Sequence, residues 1–279
     1  MCPEDRRMLY RRPHGGRVVE VVEDRHFRTL AFDSHLTQSR MSLEDPNLLV
    51  LRYTRRMMAG LLFLEVLAEN RPFRVLMIGL GGGSMVKFLL HHFPGCHMDV
   101  VENDPLLPPL ARQFFHVPTD PRLTLFVEDG ALFVERMSRT RPERRYDLIL
   151  LDAFDQVGMA RGVYADPVFA QAHERLTAHG VLVINLIRSD GALFHQGTEA
   201  IRRRFPQAAW SLTVPGFNNE ILFAGPGVIP WEQRRELESR ALELEARLGI
   251  NHPGYLQEMA RISEPKSWKR WLGFGSSRR

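Results

Sequence analysis

The stretch VLMIGLGGGSMVKFL, residues 75–89, decides the fold. A short apolar run with β-forming side chains leads into a glycine-rich turn, and apolar residues at helical spacing follow the turn. Glycines in such a turn permit positive φ angles and let a ligand approach the backbone closely. The pattern therefore predicts a strand, a nucleoside-binding turn and a helix. The turn contains four glycines: Gly79, Gly81, Gly82 and Gly83.

Strand-like and helical runs alternate on the C-terminal side of this stretch, as far as about Phe223. This alternation predicts an α/β fold with a doubly wound parallel sheet, of the class I methyltransferase-like (Rossmann-like) kind. Two late runs have no helical pattern between them and predict an antiparallel pair at the sheet edge. The predicted strands are 73–79, 97–103, 122–128, 146–152, 180–186, 208–214 and 220–225. Each pair of consecutive strands among the first five is connected by one predicted helix. These helices are 84–93, 105–115, 131–139 and 166–178.

The two ends of the chain have different patterns. Residues 1–45 alternate apolar and polar side chains between turn residues, which predicts a small N-terminal β-meander domain. Residues 46–279 then form the nucleoside-binding domain, beginning with a long helix over 47–70. An amphipathic helix over 230–249 is expected to pack on the surface of the sheet.

Composition excludes several classes of protein. The chain has 279 residues, 44% hydrophobic and 25% charged, which is typical of a globular protein, and no apolar run approaches the ~20 residues of a membrane span. The N-terminus lacks the apolar core of a secretory signal, and two cysteines cannot form a disulfide framework, so we expect a cytoplasmic protein. The net charge of +4 comes from scattered arginines without a nucleic-acid-binding motif, so no nucleic-acid partner is expected.

Two acidic residues lie at the ends of the second and third predicted strands. Glu102 comes 23 positions after Gly79, where a carboxylate can accept both hydroxyls of a ribose. Asp129, followed by Gly130, comes after the third strand, where it can accept from the amino group of an adenine. Ser84 breaks the dinucleotide fingerprint, and the G-x-G-x-G spacing instead fits S-adenosyl nucleosides. Glycines that only permit tight packing of strand and helix are the alternative.

The segment DLILLDAFDQVG, residues 147–158, carries two further candidate site residues, Asp152 and Asp155. Asp152 ends the fourth predicted strand, at the edge where ligands bind in such sheets. There it can hold an ammonium group and accept its proton. Asp155 can bind an amine through a charge-assisted hydrogen bond, or it can cap a short helical turn. Isolated histidines such as His91 and His92 lack acid or cysteine partners at ligand spacing, so no metal site is predicted.

Together these motifs resemble the spermidine synthase (polyamine aminopropyltransferase) family. The resemblance extends from about Phe32 to Gly225. It implies a small β-domain before a methyltransferase-like sheet, and it implies that the glycine loop and Gly130 bind the nucleoside. It rests on VLMIGLGGGSM, VVENDP, DPRLTLFVEDGALFV, YDLILLDAFDQVG and GVLVINL, in that order.

The resemblance also implies roles for single side chains, which fall into a nucleoside set and an amine set. In the nucleoside set, Gln38 lines the pocket, Glu102 binds the ribose and Asp129 contacts the adenine. In the amine set, Asp152 is catalytic, and the substrate contacts are Asp155, Tyr53, Phe217 and Asn185.

Five departures from the family pattern concern the amine set, and one of them replaces the proline after the second aspartate with Gln156. In the glycine loop, the family has an aspartate where this chain has Gly82. In the helix before the sheet, the family has an acidic residue where this chain has Arg55. Phe217 replaces a tyrosine that contacts the substrate in the family, and Asn185 replaces a glutamine after the fifth strand. The nucleoside half of the site is therefore retained and the amine half altered, as in a divergent spermidine synthase-like member.

The implied activity is transfer of the aminopropyl group of decarboxylated S-adenosylmethionine to an amine such as putrescine, without a metal. A methyltransferase that uses intact S-adenosylmethionine is one alternative, because losing an acid at Gly82 leaves room for the donor carboxylate. A non-catalytic nucleoside-binding paralogue is another. The resemblance further implies a homodimer or homotetramer.

Overall fold

The computed structural model describes residues 6–33, 36–154, 158–206 and 208–262. An antiparallel sheet at the N-terminus has four strands in the order β1-β2-β3-β4, which confirms the predicted meander. The boundary of a separate domain at residue 45 stays a prediction. The strands are β1 (Arg7–His14), β2 (Arg17–Glu23), β3 (Phe27–Phe32) and β4 (Leu36–Ser42).

A larger sheet has eight strands in the order β12-β10-β11-β9-β8-β5-β6-β7. Strands β5 to β9 are parallel, and β11 runs antiparallel to both β9 and β10. The doubly wound sheet with an antiparallel strand is therefore confirmed. The strands are β5 (Phe73–Ile78), β6 (Cys96–Glu102), β7 (Leu123–Val127), β8 (Tyr146–Leu151), β9 (Leu176–Ile187), β10 (Ala209–Thr213), β11 (Asn219–Ala224) and β12 (Ala260–Arg261).

Helices cover both faces of this sheet, so its central strands are apolar on both sides. The helices are α1 (Arg52–Met57), α2 (Glu65–Ala68), α3 (Ser84–His92), α4 (Leu107–Phe115), α5 (Gly130–Thr140), α6 (Asp166–Arg175), α7 (Gly191–Arg204), α8 (Glu238–Leu248) and α9 (His252–Glu258). Two 3₁₀ segments, Met58–Phe63 and Trp231–Leu237, lie before α2 and α8.

The prediction of one long helix over 47–70 is wrong. The chain forms α1, the first 3₁₀ segment and α2, and Leu64 between the last two has an extended backbone (φ −84°, ψ 100°). Residues 57–64 are buried throughout, and a Cβ added at Gly60 would lie 2.5 Å from Val183 Cγ2 of β9. Close packing against the sheet therefore overrides helix propensity in this segment.

Three smaller differences concern the ends of predicted elements. The helix predicted over 166–178 ends at Arg175, because β9 begins at Leu176. The helix predicted over 230–249 begins as the second 3₁₀ segment and continues as α8. The short strand β12 pairs with β10 and lies at the edge of the sheet, outside the predicted antiparallel pair.

The N-terminal sheet packs on helix α4. Val19, Leu30 and Phe32 of the small sheet share an apolar core with Leu110 and Phe115 of the helix. This contact holds β1, β2 and β4 near the carboxyl ends of β5 and β6, where α4 begins. One wall of the site described below therefore comes from the N-terminal sheet.

Candidate active site

A cavity of about 510 Å³ lies at the carboxyl ends of β5 to β8, which is where ligands bind in doubly wound sheets. It is bordered on one side by the N-terminal sheet and on another by α1. Most of the residues predicted to form the site line this cavity. They are Gln38, Tyr53, Gly79, Gly81, Gly82, Glu102, Asp129, Gly130 and Asp152.

Gly79 joins the glycine loop to the segment that carries Asp152. Its φ is +98°, and a Cβ added to it would lie 2.1 Å from the carbonyl oxygen of Asp152. The Asp152 amide in turn donates to the carbonyl oxygen of Ile78 (2.9 Å). Only glycine fits at this crossing of β5 and β8, so the loop and the Asp152 backbone are held together.

Gly83 starts helix α3 and is not among the residues that line the cavity. Its backbone is left-handed (φ +71°), and an added Cβ would lie 2.2 Å from Val117 Cγ2. Gly83 therefore serves the turn and the packing, and its contact with the nucleoside stays a prediction.

Gly82 lies directly against strand β4. A Cβ added to Gly82 would lie 2.6 Å from Ser39 Oγ and 2.8 Å from Ser39 Cβ, so Ser39 fills the space of a side chain at position 82. Ser39 Oγ lies 3.1 Å from Ser84 Oγ, and both serines line the cavity. Where the resemblance implies a carboxylate, the cavity wall carries neutral hydroxyl groups instead.

Glu102 is buried beneath the glycine loop, with 8% of the residue exposed. Its Oε2 accepts from the amides of Leu80 (2.9 Å) and Gly81 (3.4 Å), and its Oε1 accepts from the Asp104 amide (2.9 Å). Burial raises the pKa of the Glu102 carboxyl, and these amide donors oppose the rise. The carboxylate fixes the loop and keeps lone-pair capacity on Oε1 for a ligand hydroxyl.

Asp129 is the N-cap of helix α5. Its Oδ1 accepts from the amides of Ala131 (2.8 Å) and Leu132 (3.0 Å), which satisfies two donors at the helix start. A Cβ on the next residue, Gly130, would lie 2.4 Å from Ile78 Cγ2, so glycine allows α5 to begin close to β5. The capping role holds the Asp129 carboxylate at the cavity rim.

Asp152 lies at the end of β8 and is held by side chains from two other segments. Its Oδ1 accepts from Asn185 Nδ2 (2.8 Å), and its carboxylate also accepts from the Tyr53 hydroxyl. Burial raises the pKa of Asp152 from 3.8 to about 6, the Asn185 and Tyr53 donors oppose the rise, and negatively charged Glu102 adds to it. Near neutral pH the carboxylate is mostly ionised and is a stronger base than an ordinary aspartate.

Two residues predicted to bind substrate, Asn185 and Phe217, do not line the cavity. Asn185 is 1% exposed and lies behind Asp152, so it supports that carboxylate and does not face the cavity. Phe217 is 53% exposed in the turn between β10 and β11, where Gly216 has φ +79° and the Phe217 amide donates to the Val214 carbonyl. This tight turn leaves the Phe217 ring largely in solvent. Asp155 lies outside the described residues.

The sequence did not indicate that strands β1 to β3 would contribute cavity residues. His14, Arg17 and Phe32 all line the cavity. His14 Nε2 is 2.9 Å from Asp104 Oδ1, and the Arg17 guanidinium lies over the Phe32 ring, 3.4 Å from its centroid. His14 and Arg17 meet Asp104 through tertiary packing, and no local motif marks that contact.

Within residues 6–33, 36–154, 158–206 and 208–262, no group of three or more His, Cys, Asp or Glu side chains is arranged to hold a metal ion. In the same part of the chain, no helix combines the length and the apolar character that a membrane span requires.

Comparison with known proteins gives two groups of relatives. A family model described as the spermine/spermidine synthase domain matches residues 53–221. A polyamine aminopropyltransferase of Chromobacterium violaceum is 30% identical over 250 residues, which are 88% of this chain and 90% of the relative. Human methyltransferase-like protein 13, solved in complex with SAH, is 28% identical with a TM-score of 0.64, covering 71% of this chain and 93% of that one.

A probable spermidine synthase from Corynebacterium glutamicum has the same fold over nearly its whole length. The two structures superpose with a TM-score of 0.68 at 19% identity, covering 97% of this chain and 95% of that one. The family model spans more than half of the chain, and the Chromobacterium violaceum relative aligns over most of both sequences. The chain therefore belongs to the spermine/spermidine synthase domain family and is a transferase.

Proposed function

We propose that the protein transfers the aminopropyl group of decarboxylated S-adenosylmethionine to a small amine such as putrescine. The observation that carries this proposal is the environment of Asp152. A carboxylate with a pKa of about 6, hydrogen-bonded on its protein side and bordering the cavity, is suited to bind an ammonium group and accept its proton. Membership of the spermine/spermidine synthase family supports the same chemistry.

The nucleoside of the donor is proposed to bind at the carboxyl ends of β5 to β7. Glu102 accepts from the ribose hydroxyls, and Asp129 accepts from the adenine amino group. Gln38 and Gly81 border the same part of the cavity. The SAH complex of a 28% identical relative supports a donor of the S-adenosyl class.

The proposed reaction is a single displacement at carbon. The amine nitrogen attacks the aminopropyl carbon bound to the sulfonium, the N–C bond forms, and the C–S bond breaks. The electron pair of the broken bond remains on sulfur, which becomes the neutral thioether of methylthioadenosine. Before the attack, the ammonium form of the acceptor loses one proton to Asp152, whose carboxylate is held by Tyr53 and Asn185, and this frees the lone pair that forms the N–C bond. Alignment of the two reactants contributes most of the acceleration, because the sulfonium is already activated.

Asp155 is proposed to hold the second ammonium group of the acceptor. Its place three residues after Asp152 is the support for this role. The family resemblance likewise supports a homodimer or homotetramer, and the presence of only two cysteines supports a cytoplasmic location. Light scattering on the purified protein would measure the mass of the assembly.

Methyl transfer from intact S-adenosylmethionine is the second candidate, favoured by one specific observation. Ser39 occupies the space of a side chain at Gly82, so the wall has no acid there to bind the donor amino group. The neutral hydroxyls of Ser39 and Ser84 would accommodate a donor carboxylate without charge repulsion. The 28% identity to a methyltransferase-like protein is consistent with this alternative.

Turnover of the two donors tests the proposal. The purified protein is incubated with a panel of amines and either decarboxylated or intact S-adenosylmethionine, and products are identified by mass spectrometry. We expect the acceptor to gain one aminopropyl group with the decarboxylated donor. Gain of a methyl group with the intact donor would replace the proposal by the second candidate. Binding of methylthioadenosine without any turnover would indicate a non-catalytic nucleoside-binding protein.

A further inference from the structure

A chain of hydrogen bonds connects Asp152 to the turn between β10 and β11. Asn219 Nδ2 donates to Asn185 Oδ1 (2.9 Å), and Asn185 Nδ2 donates to Asp152 Oδ1 (2.8 Å). Asn185 lies near the end of β9 with 1% of its surface exposed, and half-buried Asn219 is the first residue of β11. The two asparagines thus extend from the cavity wall to the neighbouring antiparallel strand.

The direction of these bonds follows from the chemistry of the three groups. An ionised carboxylate only accepts hydrogen bonds, so Asn185 must turn its NH₂ group toward Asp152. The amide oxygen of Asn185 then faces away from Asp152 and needs a donor. Asn219 supplies that donor through its own NH₂ group. The opposite orientation of the Asn185 amide would place two oxygens against each other at Asp152 and two NH₂ groups against each other at Asn219.

We propose that Asn219 is a positioning residue that fixes the side-chain amide of Asn185, so that Asn185 always donates to Asp152. Asn219 touches neither the cavity nor Asp152 and acts only through Asn185. A donor fixed in this way stabilises the ionised form of Asp152, which is the form that accepts a proton. The effect on catalysis rests on the proposed role of Asp152, whereas the amide orientation does not.

The backbone around both asparagines is well anchored. The Tyr164 hydroxyl donates to the Asn185 carbonyl oxygen (3.0 Å) and accepts from the Ala153 amide (3.3 Å). Asn219 is paired with Ile187 of β9, and its carbonyl accepts from the Val214 amide (3.0 Å). Only the side-chain amides are therefore free to rotate, which is the freedom that the proposed role removes.

Other ionisable groups near Asp152 come from three elements in the described part of the chain. Tyr53 of α1 donates to its carboxylate, Tyr164 lies before α6, and Glu102 ends β6. Burial raises the pKa of both tyrosine hydroxyls far above neutral, and both therefore stay protonated throughout the titration of Asp152. Neither tyrosine therefore contributes to a change in the Asp152 midpoint on substituting Asn219, and Glu102 is common to every variant compared.

The test is a carboxyl-carbon NMR titration of Asp152 in the ligand-free, full-length protein labelled with ¹³C aspartate. The Asp152 signal is identified by its loss in Asp152→Asn, so the readout needs no substrate. In Asn219→Asp, the new carboxylate accepts only, and the Asn185 amide turns its NH₂ group toward it. We expect the Asp152 midpoint to move upward by roughly one pH unit, the size of one charge-assisted hydrogen bond.

The added charge at position 219 also raises the midpoint through space, and a double-mutant cycle separates the two effects. In an Asn185→Ala background, Asn219→Asp can act only through its charge, so a smaller upward shift is expected. Equal shifts in both backgrounds would overturn the proposal.

A neutral variant keeps the proposal testable if Asn219→Asp folds poorly. Asn219→Ala removes the donor to Asn185 and adds no charge, so a smaller upward shift is expected. An unchanged midpoint in Asn219→Ala would also overturn the proposal. Circular dichroism of each variant checks that the sheet is retained.

Discussion

The nucleoside end and the amine end of the cavity hold their carboxylates in different ways. Glu102 and Asp129 accept hydrogen bonds from backbone amides of the glycine loop, of Asp104 and of the start of α5. Asp152 instead accepts from the side chains of Tyr53 and Asn185, which come from α1 and β9. One end is built by backbone geometry and the other by side chains from distant segments.

This difference explains how the two ends can diverge separately. Backbone donors survive most substitutions, so the nucleoside end keeps its acids as long as the glycine turn and the α5 cap form. A carboxylate held by side chains changes its pKa whenever one of those side chains changes. Among the substitutions relative to the family pattern, Asn185 contacts Asp152 directly.

The sharpest test of the comparison is Asp152→Asn. Loss of the proton acceptor should reduce the rate of transfer about 10²–10⁴-fold, measured by initial rates at saturating donor. Glu220→Gln is a matched control, because Glu220 is also buried, with a pKa raised by burial to about 7, yet it does not line the cavity. It should leave the rate unchanged. A similar loss of rate in both variants would point to damage to the fold.

Glu102→Gln should act at the other end. Replacing a carboxylate that accepts from ribose hydroxyls and loop amides should weaken the binding of methylthioadenosine by about 1–3 kcal/mol, which raises Kd roughly 5- to 150-fold. Titration calorimetry on the variant and on the unaltered protein measures the difference. An unchanged Kd would remove Glu102 from the proposed nucleoside site.

The raised pKa of Asp152 predicts the pH dependence of transfer. The carboxylate accepts a proton only when ionised, so kcat/KM should fall about tenfold for each pH unit below about 6. A buffer series from pH 4.5 to pH 8 with a fixed amine would show this acid limb. An acid limb near pH 4 would mean that Asp152 titrates as an ordinary aspartate and is not the group that accepts the proton.

The smallest expected effect concerns stability. A carboxyl whose pKa is raised on folding binds protons more tightly in the native state, so it costs stability as pH rises from about 4 to about 6. Asp152→Asn should therefore raise the free energy of unfolding at pH 7 by about 1 kcal/mol, since Asp152 borders the cavity and its charge is partly solvated. The gain should vanish below pH 4. Urea unfolding at both pH values measures it, and a loss of stability at pH 7 would contradict the prediction.

The sheet and its order could be predicted because each strand carries its own signal. Apolar runs such as residues 146–152, between turn residues, are typical of buried parallel strands. The segment 47–70 could not be predicted, because its break depends on how closely Gly60 approaches β9. The two-residue strand β12 is too short to leave a pattern in the sequence.

The same distinction applies to the site. Glu102, Asp129 and Asp152 follow directly from their places at strand ends, and the structure puts all three around one cavity. The contributions of Arg17 and Ser39 depend on how the small sheet packs on α4, which no local motif encodes. The support of Asn185 by Asn219 likewise depends on the register of β9 and β11.

The measurement that tests the account most directly is the affinity of Asp152→Asn for methylthioadenosine at pH 7, by titration calorimetry. We expect a Kd within about twofold of that of the unaltered protein, because no contact with the nucleoside is lost, while the rate of transfer falls about 10²–10⁴-fold. If Asp152→Asn raised the Kd as much as Glu102→Gln does, Asp152 would belong to the nucleoside end. That result would contradict the division of the cavity into a nucleoside end and an amine end.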